Sequence, residues 1–140
     1  MPFVVFLYQY RKDGITPKEF QDSMEGEIYP WLANYIGIHN PVAFTRHYPA
    51  RVNGEIGRRF AALQALPPAL DKDATVVLIG DAAEFPWDVM IRVEFRDELH
   101  FQQYFAFINE PEHADKIAEQ EEKNSDPSKL RIEVIGDVFY

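Results

Sequence analysis

Acid/base chemistry in this chain rests first on its histidines, because no cysteine is present to act as a thiolate nucleophile or metal ligand. Two of the four histidines occupy positions where a base would be useful. His47 lies in the run Val42 to Tyr48, which has the β-branched and aromatic character of a strand, and it shares a strand face with Thr45. Arg46 then points the other way, and pairing it with Asp88, Arg92 and Glu94 on the outer face of the sheet would turn Thr45 and His47 toward the helices, where a pocket can form. His113 stands two residues after Pro111 at a helix start, where free backbone N–H groups disfavour a protonated ring and keep the imidazole available as a base. His100, four residues before Tyr104, reads as a packing residue, and His39 beside Asn40-Pro41 as a loop residue. No two histidines show the His-x-x-x-His spacing of a helical metal site, so no metal and no cofactor is expected.

These groups need a scaffold. Phe3 to Tyr10 reads as a strand that stops at the turn Arg11-Lys12-Asp13-Gly14. Thr16-Pro17-Lys18-Glu19 supplies an N-cap hydroxyl, a proline where no N–H is needed, and a carboxylate that can reach back to the cap. The helix it opens carries Phe20, Met24, Ile28 and Leu32 at four-residue steps, with Pro30 expected to kink or break it and Gly37 to end it. Residues 87–95 alternate strictly, with Val89, Ile91, Val93 and Phe95 on one face. Asp97 caps a second long helix, Pro111 begins a shorter acidic one, and Leu130 to Ile135 form the last strand. The run Glu119 to Glu122 reads as a solvated helix face, and Asp88 with Glu94 as members of an ion-pair network.

The resulting order, strand–helix–strand–strand–helix–strand, predicts an α+β, ferredoxin-like βαββαβ fold in a single domain over residues 1–140. Residues 51–86 form a long insertion between the second and third strands. It holds a short helix around Arg58-Arg59-Phe60 that ends at Pro67-Pro68, and Val76 to Ile79 read as a small added strand. Placed over the pocket mouth, the insertion would act as a lid whose Arg58 or Arg59 attracts a substrate carboxylate. Helices cover one sheet face only, so a second copy is expected on the other, beside Phe6, Tyr8 and Met90.

Composition narrows the function. With 14 Lys and Arg against 23 Asp and Glu, the net charge of −9 repels a phosphate backbone, so nucleic acid is not an expected partner. The first apolar run is too short for a membrane span and follows no basic segment, which together with the absence of cysteine suggests a cytoplasmic protein. Aromatic residues make up 14% of the chain, and Phe3, Phe20, Phe101, Phe105 and Phe139 are expected to fill the core.

Phe6-Leu7-Tyr8, Arg11 through Thr16, Phe20 with Pro30, Thr45-Arg46 with Tyr48, Asp88 with Phe95, and the tail from Glu121 through Asp126 to Val134-Ile135-Gly136 together resemble the dimeric α/β-barrel superfamily, and within it EthD-like proteins of fungal polyketide pathways. The resemblance covers nearly the whole chain. It implies a homodimer and a cofactor-independent enzyme of secondary metabolism, a decarboxylase, dehydratase or cyclase, acting on a polyketide-derived aromatic or related apolar substrate. A cofactor-free anthrone-type monooxygenase and a non-catalytic dimeric ligand-binding protein are the alternatives it leaves open. Asn109-Glu110-Pro111-Glu112-His113 is similar to the His-Pro-x-His segment of plant-type cyclases, aligning His113 with their basic histidine and Phe107 with the tyrosine that assists it. Ile28, Phe44 and Arg92 depart from the family's usual His, His and Glu. The expected site therefore comprises His47 and His113 as bases, Gln9 and Thr45 as polar anchors, Val5, Leu7, Val89, Ile91 and Val93 as the apolar wall, and Arg59 from the insertion.

Overall fold

Two strands of alternating character form the centre of the sheet. In the computed structural model, which describes residues 1–64 and 71–140, β1 (Phe3–Gln9) pairs antiparallel with β3 (Val89–Phe95), setting Val5 against Val93 and Leu7 against Ile91. The face carrying those residues is buried, with Val89, Ile91, Val93 and Phe95 all at 2% exposure or less. Flanking them are β2 (Ala43–His47) and β4 (Arg131–Ile135), giving the order β2-β3-β1-β4 with every pairing antiparallel. Sequence order and spatial order together are those of the ferredoxin-like α+β fold.

Over the buried face lie α1 (Pro17–Ser23), α2 (Tyr29–Ile36), α4 (Glu98–Asn109) and α5 (Pro111–Glu121). The Thr16 hydroxyl accepts from the Glu19 N–H at 3.1 Å and donates to the Glu19 carboxylate at 3.0 Å, so α1 starts as its sequence indicates. Pro30 does not end the helical path. Instead Met24–Ile28 form a π-helical turn in which the Tyr29 N–H reaches the Met24 carbonyl, and the chain continues into α2. Phe20, Met24 and Ile28 are all essentially buried as a result, each contributing about 1.5–3 kcal/mol of apolar burial. Gly37, at φ 60°, closes α2 in a conformation that favours glycine.

The insertion includes α3 (Glu55–Gln64), whose Gly57 packs against the Arg51 and Val52 carbonyl oxygens so closely that a Cβ there would collide with backbone. Val76 to Ile79 form no strand. Thr75 makes an isolated bridge to Arg51 and the Val76 N–H donates to the Ala50 carbonyl at 2.8 Å, while Leu78 and Ile79 lie exposed. The expected stop at Pro67-Pro68 lies outside the described residues. Of the phenylalanines expected in the core, Phe105 and Phe139 are instead exposed: Phe105 stacks on Phe101 at the outside of α4, and Phe139 lies in the extended tail beyond β4.

Asp88 fixes the insertion to the sheet, and it does so without Arg46. Its carboxylate takes the Arg11 N–H at 2.8 Å, the Arg11 Nε at 3.0 Å and the Arg51 Nη2 at 2.7 Å, while its own N–H donates to Gln9. Removing one partner of such a buried pair leaves the remaining charges uncompensated. Asp88→Ala is therefore expected to lower unfolding free energy by about 3 kcal/mol in urea titrations, well beyond a surface substitution.

Candidate functional site

Register decides which side chains reach the space between sheet and helices. Phe44 is opposite Val93 and Arg46 is opposite Ile91, so Phe44 and Arg46 face the helices. Thr45 and His47, opposite Arg92 and Met90, lie on the outer face of the sheet. This reverses the expected orientation of β2. Phe44 is the largest apolar side chain on this edge strand, and burying it commits its parity partner Arg46 to the same face. Arg46 is accommodated because the π-turn presents Glu25: Nε and Nη2 donate to the two carboxylate oxygens at 2.8 and 2.7 Å, and Tyr48 donates to Glu25 at 2.6 Å. The Arg46 hydrogen bonds hold the Glu25 carboxyl below the usual range, and burial together with Glu25 raises the Tyr48 hydroxyl.

Two adjoining cavities occupy the space between the layers. An outer one of about 400 Å³ runs between α2 and β2, with Arg46 and Glu25 at its rim. An inner one of about 160 Å³ lies between the sheet and α4 and α5, opening beside β4 where Ile132 is half-exposed. Tyr29, Leu32, Phe44 and Tyr104 border both, and Tyr29 meets Phe44 edge-on with ring centroids 5.4 Å apart. The walls are mostly aliphatic and aromatic.

Few polar groups enter the inner cavity. Gln9 is buried and its Oε1 accepts from the Tyr29 hydroxyl at 2.6 Å. Burial raises the Tyr29 hydroxyl above its ordinary value, so it stays a donor. Tyr104, on α4, has its hydroxyl pushed up to about 12 by burial and by the nearby Glu121. Glu121 is the unexpected member. It ends α5 on the same side as Ala114, Ile117 and Ala118, and burial raises its carboxyl to about 7. Its side chain makes no hydrogen bond or ion pair among the described residues, whereas neighbouring Lys123 is engaged by Glu27 and Gln120.

Of the residues expected in the site, Gln9, Leu7 and Ile91 border the inner cavity. Val5, Val89 and Val93 are on the helix-facing side but lie in the packed core and border neither cavity. Thr45 and His47 are turned away, and Arg59 sits on the exposed side of α3, paired with Glu55 at 3.0 Å. Among its described residues the insertion contributes no wall to either cavity; Arg51, Asp73 and Thr75 instead border a separate polar groove with Tyr10 to Gly14. The described residues of the insertion thus cover neither cavity, and residues 65–70 of the expected lid lie outside the described residues.

His113 is held in an aromatic cluster beside, rather than within, the cavities. Its Nδ1 is 2.6 Å from the Tyr35 hydroxyl, its Nε2 is 3.3 Å from Glu110, and its ring stacks on Phe107 at 4.0 Å. A tyrosine hydroxyl does meet this histidine, but from α2 rather than from position 107. His100 is buried, accepting from the Arg96 N–H through Nδ1 and contacting the Asn40 carbonyl through Nε2, as a packing residue would. Among the described residues no three His, Asp or Glu side chains are grouped to hold a metal ion, and no helix is long and apolar enough to cross a membrane.

Charge alone does not set Glu121 apart from the acidic run of residues 119–122. The helical interval shows the difference: Glu121 follows Ile117 by four residues and Ala118 by three, on the apolar stripe, while Glu119 and Glu122 are exposed.

Fold and site define a class: a ferredoxin-like α+β protein with an apolar cavity between its sheet and helices, entered by a few polar groups. Within that class, the chain belongs to the EthD domain family, whose model matches residues 12–128. It is similar in structure to the protein At3g17210 of Arabidopsis thaliana, at 15% identity and a TM-score of 0.55, covering 99% of this chain and 97% of that one. It is also similar to an ethyl tert-butyl ether D (EthD) family protein of Bacillus halodurans C-125, at 12% identity and a TM-score of 0.49, covering 97% and 99%. No protein with a curated description matches the chain in sequence.

Glu121 also sets a pH dependence of stability. Its folded carboxyl is raised to about 7 from an ordinary 4.5, so the folded state binds this proton more tightly than the unfolded chain. That contribution is complete below the unfolded value and is lost as pH rises through about 7. Glu121→Gln is expected to match the parent's Tm at pH 4 and to exceed it at pH 8 by roughly 4 °C, about 1 kcal/mol in a domain of this size.

Proposed function

We propose that this protein is a cofactor-independent enzyme that binds a flat, apolar keto compound of the polyketide kind in the paired cavities and carries out decarboxylation, dehydration or ring closure by proton transfer. The observation that carries this reading is the inner cavity itself: a half-open, largely apolar cleft into which the Gln9–Tyr29 pair and Tyr104 bring hydrogen-bonding groups. An apolar wall holds an aromatic ring, and phenolic donors suit the oxygens of a β-keto chain or phenol. The likeness of the chain's motifs to polyketide-tailoring enzymes supports the same substrate class. Such reactions need protons moved at carbon and oxygen, which side chains alone can do.

The histidines are less well placed for this than the sequence suggested. Neither His47 nor His113 borders the cavities, so the reading rests on groups that do. The flat aromatic probe 2-naphthol tests the binding step. Calorimetry is expected to show one site per chain, and Ala118→Trp, which fills the inner cavity, to weaken it at least roughly tenfold. Unchanged affinity in that variant would place the ligand elsewhere and remove the reading.

Two copies joined through their sheets are part of the proposal. Phe6, Tyr8 and Met90 form a half-buried strip on the outer face, bordered by Arg92 and Glu94, and no helix covers it among the described residues. The apolar character of that uncovered strip supports a homodimer in which a second copy buries it, with Thr45 and His47 at its edge. Sedimentation is expected to give a dimer at micromolar concentration, and Arg92→Glu to shift it toward monomer by setting a second carboxylate beside Glu94. A monomeric parent at that concentration would exclude the arrangement.

A further inference from the structure

The inner cavity contains one carboxylate, and we infer that Glu121 is the general base of this protein, taking a proton from a carbon next to a carbonyl while the Tyr104 hydroxyl receives the charge that develops on oxygen. The inference rests on the cavity reading given above and adds to it the reacting group. Geometry carries it. Glu121 ends α5 with its side chain among apolar residues, and every element packed against it presents neutral groups: Gln9 from β1, Tyr29 from α2, Tyr104 from α4, and Leu130 and Ile132 from β4 and its approach. Among the described residues no Lys, Arg, His or Asp borders this cavity. Glu121 is half-buried at the cavity wall, and its carboxylate has no hydrogen-bond or ion-pair partner among the described residues, which leaves it free to meet a ligand. A carboxylate held beside apolar groups without a partner is a stronger base toward carbon acids than one in open water, and partial burial raises its ionisation to about 7, where proton uptake and return are both accessible. The Tyr104 hydroxyl likewise forms no hydrogen bond among the described residues and is free to donate to a ligand.

The step balances without a co-reactant. The Glu121 carboxylate takes the proton, the C–H electron pair becomes the enolate double bond, and the carbonyl π pair moves onto the oxygen held by Tyr104. The enolate carbon then forms a bond to a second carbonyl of the same molecule, and Glu121 returns its proton to the alkoxide. The substrate class is accordingly an apolar compound with two carbonyl groups and an acidic C–H between or beside them.

The probe 5-nitrobenzisoxazole reports the proton-transfer step directly. A base removes its C3 proton, the C–H pair completes the nitrile, and the N–O bond breaks to leave a coloured phenolate. In the full-length parent, kcat/KM is expected to rise with pH through about 7, as the base becomes ionised. Glu121→Gln is expected to lower kcat at least roughly a hundredfold with little change in KM, Glu121→Asp to keep part of the rate, and Tyr104→Phe to lower kcat several-fold. Carbon-13 NMR of the labelled Glu121 carboxyl follows the same ionisation without any substrate. If the probe binds by calorimetry but Glu121→Gln turns it over at the parent rate, the assignment is overturned while the cavity reading stands. A loss confined to His113→Ala or His47→Ala would likewise overturn it and return the base to histidine. Failure of the probe to bind in the cavity would overturn both readings.

Discussion

Proline at position 30 forces the arrangement on which the helical layer depends. It offers no N–H to the carbonyl four residues back, and its ring crowds that carbonyl, so an ordinary α-helix cannot pass through unchanged. The chain widens by one residue before it, letting the Tyr29 N–H bond to Met24. That widening also corrects a drift. Four residues advance an α-helix about 40° beyond a full turn, and a long stripe at four-residue steps would otherwise wind off the core. With the π-turn inserted, Phe20, Met24 and Ile28 stay buried over the sheet.

The same turn prepares the polar side of the cavities. Glu25 is within the turn and Tyr29 follows it, so one local adjustment supplies the carboxylate that neutralises Arg46 and the phenol that meets Gln9. Arg46 on the helix side would be costly without Glu25. The orientation of β2, the rim of the outer cavity and the polar pair of the inner one are therefore linked through five residues of helix.

Glu121 and His113 illustrate two ways in which a titratable group can be held on one helix. His113, near the start of α5, has its ring nitrogens occupied by Tyr35 and Glu110 and its face covered by Phe107. Such a group is oriented by neighbours that satisfy it. Glu121, at the end of the same helix, is surrounded by groups that do not satisfy it, and its chemistry remains available to whatever enters the cavity. Family likeness drew attention to the first. Physical isolation distinguishes the second.

Local rules made much of this fold legible in the residues. The strict alternation of residues 89–95, the Thr16 capping box, the Asp97 cap and the proline at the head of α5 each act within a few residues, where stereochemistry and hydrogen bonding leave few options. The order of the elements then carried the ferredoxin-like topology, and strand parity put Gln9, Leu7 and Ile91 on the helix-facing side together with Val5, Val89 and Val93, which the packed core absorbs. Tertiary structure decided what those rules leave open. An edge strand as short as β2 has two nearly balanced faces, and the choice between Phe44 with Arg46 and Thr45 with His47 depended on a carboxylate 21 residues away, on another element. The acidic run at the end of α5 was equally ambiguous as a string of charges. Only packing against β4 and α4 separates the half-buried Glu121 from its solvated neighbours, because a cavity wall belongs to the assembled layers and to no single segment.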